Sequence, residues 1–183
     1  LQAAGAEIAA FHGLPSVAWL STESPLVDAG AGHECTLTGL LHVLSHVNVI
    51  WGIGNLESTK CMSAEMAVIG NEIAGALRRA QTGVRVADET LATDLIIELG
   101  QRPDYLEHPH TLAHFKDEYY FPRAINRRSR SAWETIGRPS VVDSARKRVQ
   151  QLSAMPRRSI VTAAQRRELL KIESKWIEEM VRM

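Results

Sequence analysis

The first 59 residues contain no lysine and no arginine, and acids are sparse there too. A stretch so poor in charge has little to present to water, so it reads as the inside of something larger. Cysteine is nearly missing as well. Cys35 and Cys61 have neither the number nor the spacing of a disulfide framework or a zinc site, and they point to a reducing compartment, the cytoplasm. Neither sign of charge is in excess: Lys+Arg and Asp+Glu stand at 21 each, which removes any electrostatic case for nucleic acid, an anionic membrane or an acidic partner. No apolar run reaches the length of a membrane span, and the start lacks both a methionine and the basic region of a signal peptide. The opening LQAA therefore reads as the interior of a longer protein, although 183 residues suffice for one domain with a real core.

What is present begins with apolar runs separated by polar loops. Residues 1–12 are alanine-rich, with Ile8 and Phe11 at helical spacing and Gly13 placed to end a helix. Residues 14–20 (LPSVAWL) and 47–53 (VNVIWGI) are short, apolar and rich in β-branched and aromatic residues, as strands buried on both faces are. Each opens into a polar loop, Ser21-Thr22-Glu23-Ser24 after the first and Asn55, Glu57 and Ser58 after the second. Between them residues 33–46 predict a helix with Leu37, Leu40, Leu41 and Leu44 as its apolar stripe, and Asp28 stands ahead of it. Residues 62–80 predict an amphipathic helix with Met62, Met66, Ile69, Ile73 and Leu77 on one face. Strands and helices alternating in this way argue for a parallel sheet, with its chemistry in the loops after the strands.

Beyond Gly83 helices dominate. The pattern predicts a helix from residue 87 to 99, a short strand at 104–107, a helix from 111 to 120 with Pro109 in its first turn, and two more over 140–154 and 162–181. His110 and His114 lie one helical turn apart beside His108, but no glutamate or cysteine completes a known zinc pattern, so capping and hydrogen bonding are expected and no metal site. Four arginines crowd residues 123–130 near Trp133; a solvated face with internal ion pairs outweighs a phosphate grip. No glycine-flanked nucleophile elbow surrounds Ser21 or Ser24, and neither standard phosphate loop occurs. Trp19 and Trp51 stand in the two candidate strands, where core packing is the default and a cation over their rings the functional alternative.

The runs SPLVDAGAGHE, IWGIGNLES, AEMAVIGNEIAGALRR, GVRVADETLATDLIIELG and YLEHPHTLAHFKDEYYFPRAINRRSRSAWE, in this order, resemble the C-terminal part of the trimethylamine methyltransferase family, the corrinoid-dependent methyltransferases of methylated amines. The resemblance implies the C-terminal portion of a (β/α)8 TIM barrel over residues 1–122, without about its first five strands, and a helical extension over 123–183. It implies methyl transfer from a tertiary or quaternary amine to the cobalt of a separate corrinoid protein, so that no cofactor is bound directly. Without pyrrolysine in these residues, betaine-like quaternary amines are favoured. The site is then expected at the strand ends and the HPHT turn, with Glu57 and His110 as catalytic residues and Ser21, Glu23, Trp51 and Asn55 binding the substrate. The competing expectation is a helical fragment that self-associates without activity of its own; in either case a homo-oligomer is expected, because the apolar faces lack cover.

Overall fold

The computed structural model describes residues 1–101, 104–156 and 160–181. Most of them are helical. The chain divides into two compact units, Leu1–Gln151 and Leu152–Met183; Ala145 lies in the core of the first.

Helix α1 (Gln2–Phe11) ends where Gly13 takes φ +66°, as its place in the sequence predicts. Strand β1 (Val17–Trp19) follows, then α2 (Ala29–Leu44), then strand β2 (Val49–Trp51). The strands pair in parallel, with Val17 opposite Val49, Ala18 opposite Ile50 and Trp19 opposite Trp51. This is the expected parallel pair with α2 as the crossover. The strands are three residues long rather than seven, because among the described residues only these two share that sheet.

Helix α2 starts at Ala29, ahead of the expected residue 33, since Asp28 caps it by accepting the Ala31 N–H at 3.0 Å. Its buried face also differs from expectation. Leu37, Leu40, Leu41 and Leu44 are exposed, and the small face of Ala31, Cys35 and Gly39, with His42 and Val43, is buried instead. The reason is close packing: a Cβ on Gly39 would lie 2.4 Å from Leu77 Cδ1 and 2.6 Å from Leu20 Cδ1. Only a helix with a bare face approaches its neighbours that closely.

Strands β3 (Asn55–Leu56) and β4 (Cys61–Met62) form a small antiparallel hairpin ahead of α3 (Ala64–Thr82). Met62 therefore belongs to β4 and is exposed, not on the α3 stripe. Ser63 caps α3 through Met66 N–H at 3.1 Å. Met66, Ile69, Ile73 and Leu77 form the expected buried row and pack with Leu20, Cys35 and Leu56 in the main core. Glu72 lies buried in that row, where its carboxylate accepts the Arg123 N–H at 2.7 Å and so anchors the chain at residue 123.

The helix expected over residues 87–99 is broken at Ala92, whose φ is +49°, into α4 (Asp88–Leu91) and α5 (Thr93–Leu99). Residues Asp104–Leu106 form a 3-10 turn, not a strand. Helix α6 (Pro109–Glu118) has Pro109 at its first position, and α7 (Arg130–Thr135) and α8 (Val141–Ser153) follow. The arginine segment makes local contacts: Arg127 Nη1 donates to the Tyr120 carbonyl at 3.0 Å, and Arg130 and Arg138 both pair with Glu134. The second unit contains α9 (Ala163–Val181).

Candidate functional site

Side chains alternate along a strand, so the paired strands present two different faces. Ala18, Leu20 and Ile50 point towards the helices, Leu20 into the main core and Ala18 against Ala6 of α1. Val17, Trp19, Val49 and Trp51 point the other way and stay exposed, Trp19 at 38% and Trp51 at 47%. Being opposite in register, the two indoles meet edge to face with ring centroids 5.0 Å apart. The expectation of strands covered on both faces is thus met on one face only in this chain.

The loops after the two strands meet beyond the strand ends. Leu20 N–H donates to the Trp51 carbonyl at 2.7 Å, and past that point Glu57 N–H reaches the Ser24 carbonyl and Ser58 N–H the Thr22 carbonyl, each at 3.0 Å. Ser21, Glu23, Trp51, Asn55 and Glu57, five of the six expected site residues, are therefore on segments tied to each other by backbone hydrogen bonds. Asn55 N–H closes a turn onto the Gly52 carbonyl at 3.0 Å. Gly54, at φ +96°, leaves no room for a side chain, since a Cβ there would sit 2.9 Å from Ala67 Cβ. The loop accordingly lies directly on α3.

Glu57, Ser58 and Thr59 all take positive φ, of 48°, 51° and 76°. Left-handed residues occur singly as a rule, and a β-branched residue there is a true outlier. Each costs on the order of 1–3 kcal/mol and persists only where the surroundings impose it. Here the β3–β4 hairpin closes the turn from behind and the Thr22–Ser24 loop holds it from the side. Glu57 is half-buried, with a 3.4 Å ion pair to exposed Lys60.

Beneath this loop lies a residue the sequence reading did not single out. Glu34, on α2, accepts from the Thr22 hydroxyl and from Glu23 N–H at 2.8 Å, while Thr22 Oγ1 accepts Ser24 N–H at 2.9 Å. Those hydrogen bonds, the Thr22 hydroxyl first and the Glu23 amide next, hold its carboxyl below the usual carboxylate range. His42, two turns further along α2, bonds the Trp19 carbonyl through Nε2 at 3.1 Å, which makes Nε2 the N–H donor; its buried Nδ1 has no partner among the described residues. Glu34, Thr38 and His42 repeat every four residues, and a polar row at helical spacing inside an apolar helix was the signal available.

His110 stands apart. Its Nε2 lies 2.7 Å from the Glu89 carbonyl, its ring packs 4.5 Å from that of His114, and His114 faces the Glu89 carboxylate at 3.6 Å. His108 caps α6, its Nδ1 accepting His110 N–H at 3.2 Å. None of the described hydrogen bonds or ion pairs joins this histidine group to the strand-end loops.

Parallel strands with a helical crossover, and polar loops knit together beyond the strand ends, make a β/α arrangement of the kind in which ligands commonly bind at the loop end. The comparisons give the family. The chain belongs to the trimethylamine methyltransferase family, whose model, Trimethylamine methyltransferase (MTTB), matches residues 1–180. It is 35% identical over 138 residues to the trimethylamine methyltransferase MttB of Desulfitobacterium hafniense, covering 75% of this chain and 28% of that protein. The trimethylamine methyltransferase MttB of Methanosarcina thermophila is 35% identical over 150 residues, 81% of this chain and 31% of its own length. The glycine betaine methyltransferase of Desulfitobacterium hafniense is 33% identical over 132 residues, 71% of this chain and 28% of its own. The chain thus spans between 28% and 31% of the length of these relatives.

Proposed function

We propose that the chain is the C-terminal part of a methyltransferase that moves a methyl group from a methylated amine, preferentially a quaternary one, to the cobalt of a corrinoid carried by a separate protein. In this reading β1 and β2 are two strands of a (β/α)8 barrel, α2 and α3 lie outside, and Val17, Trp19, Val49 and Trp51 face the barrel interior. The observation that carries the proposal is the register of the two tryptophans, which sets both indoles on the open face at the strand ends.

A quaternary ammonium offers no N–H donor, so hydrogen bonds cannot hold its head; aromatic rings can, through the attraction between a cation and the ring quadrupole. Nor can its nitrogen be activated by a proton, having no lone pair. Cobalt(I) attacks the methyl carbon, the C–N bond breaks, and the nitrogen leaves with the bonding pair as a neutral tertiary amine while the metal becomes methyl-cobalt(III). The protein contributes orientation of an in-line transfer in a dry pocket. Trp19 and Trp51 form one wall for the ammonium, with Glu23 and Glu57 supplying negative potential. Ser21 and Asn55 suit a carboxylate at the other end of a betaine. His110, with Nε2 on the Glu89 carbonyl, has Nδ1 left for a ligand.

The test uses an intact protein containing this chain, a corrinoid protein reduced to cobalt(I), and the loss of the cobalt(I) absorbance. Trp51→Ala should raise the amine KM at least tenfold, with Trp51→Phe recovering most of the loss. Glu57→Gln or His110→Ala should slow methylation at least tenfold, about 1.4 kcal/mol in the barrier. Unchanged kinetics in a Trp19→Ala/Trp51→Ala double variant would remove the aromatic pair from the site, and unchanged transfer in either of the other variants would remove that residue.

A further inference from the structure

His42 on α2 is fully buried, and its imidazole is used on one side only. Nε2 donates to the Trp19 carbonyl at 3.1 Å, while Nδ1 has no partner among the described residues. Stability does not account for such a residue. A buried acceptor left unmade costs at least as much as one hydrogen bond returns, so an apolar side chain would serve the packing better. What the bond does hold is the peptide between Trp19 and Leu20. In a trans peptide the C=O and the N–H lie in one plane and point opposite ways. The Leu20 N–H of this unit donates to the Trp51 carbonyl of β2 at 2.7 Å, so the Trp19 carbonyl points away from β2, and there His42 meets it. The plane is therefore held from both sides. One turn earlier on α2, Gly39 makes room for the Leu20 side chain, whose Cδ1 lies 2.6 Å from where a Cβ on that glycine would be. Two residues of one helix thus grip the end of β1, and Trp19 is its last residue.

We propose that His42 is a positioning residue, whose Nε2–H orients the Trp19–Leu20 peptide and through it the edge-to-face pair of Trp19 and Trp51. The orientation of that plane sets the two soft dihedrals beside it, ψ of Trp19 and φ of Leu20. With the plane held, Leu20 enters the core, and the Trp19 indole, on the other face, stays 5.0 Å from that of Trp51. The Trp51 carbonyl is the second holder, so His42 and the two tryptophans form one hydrogen-bonded series across α2, β1 and β2. The pairing is a matter of structure alone; its use as a wall for an ammonium head rests on the methyl-transfer reading. His42 touches no reacting group, and its effect on the reaction runs through where Trp19 stands. The role requires a donor at the place of Nε2. Glutamine carries an amide N–H at that reach, and asparagine carries one only at the reach of Nδ1.

Two indoles in contact give an exciton couplet in circular dichroism. The whole chain, with Trp133→Phe and Trp176→Phe in the background, should show one as the difference from the same chain carrying Trp19→Phe. His42→Ala and His42→Asn should lose the couplet and keep the helical signal, while His42→Gln should keep both. In an intact protein containing this chain, His42→Ala should raise the amine KM towards that of Trp19→Ala, leave kcat within about twofold of wild type, and be rescued by His42→Gln. A background chain without the couplet overturns the proposal. So does a couplet that survives in His42→Ala, that glutamine fails to preserve, or that asparagine preserves equally well. Loss of the helical signal in all three variants assigns His42 to packing and overturns it too, as does an amine KM raised by Trp19→Ala and unmoved by His42→Ala. A couplet that follows His42 as expected, with the amine KM unmoved by both variants, instead sinks the aromatic-wall reading and leaves the positioning role standing.

Discussion

Glu34 shows how one side chain sets a loop. Its carboxylate is shared by the Thr22 hydroxyl and the Glu23 amide, and Thr22 and Ser24 in turn supply the carbonyls that hold Ser58 and Glu57. The strained turn carrying Glu57 is therefore tied at second hand to a residue on α2. Glu34 has a lowered pKa in the fold, so its contribution is complete above the unfolded value and is lost as pH falls through the folded one. The Glu23 amide proton shift should accordingly titrate with a midpoint below 4.5, the ordinary value for this carboxyl, and the titration should vanish in Glu34→Gln. A midpoint at or above the ordinary value would mean that Thr22 and Glu23 do not hold the carboxylate. In the intact protein Glu34→Gln should also lower the rate of methylation more than it raises the amine KM, since it acts on the placement of Glu57 and not on the aromatic wall.

At the scale of elements, α2 carries the sharpest test of packing. Gly32 and Gly39 lie in the same helix, and a methyl added at Gly32 meets nothing within 4 Å, whereas one at Gly39 meets Leu20 and Leu77 at 2.6 and 2.4 Å. Gly32→Ala should stabilise the chain by up to about 1 kcal/mol through helix propensity. Gly39→Ala gains the same propensity but overpacks the core, which costs ~1–3 kcal/mol. Chemical denaturation should thus separate the two by roughly that amount, and equal effects would mean that α2 and α3 do not approach as closely as described. The same helix marks the limit of what periodicity reveals. The positions of α1, β1, α2, β2 and α3 were legible from apolar runs and glycine stops, and so was the parallel pairing. The buried face of α2 was not, because four leucines advertise a core more loudly than alanine, cysteine and glycine, and close approach depends on what a face lacks. The break at Ala92 was hidden for a similar reason: alanine signals helix, and a left-handed alanine is imposed by its surroundings. At the candidate site, the loops were legible as polar segments after strands, while their mutual hydrogen bonds, and Glu34 beneath them, appear only in three dimensions.

At the scale of the whole molecule, the open sheet face is the feature the barrel reading must cover. In an intact protein containing this chain, acrylamide should quench Trp19 and Trp51 several-fold less than it does in the chain alone, measured with Trp133→Phe and Trp176→Phe in the background. Equal quenching in both would argue against the barrel. Because the strands pair with Trp19 opposite Trp51, side chains at 17, 19, 49 and 51 form a patch of their own, while those at 18, 20 and 50 belong to the helices. The core and the proposed pocket wall are thus written in alternate letters of the same two short words. Under the proposed function, a change to a bulkier or smaller amine calls for randomising the four outer positions and leaving the inner ones alone. Insertions of a single residue just before either strand would do the reverse, exchanging wall for core.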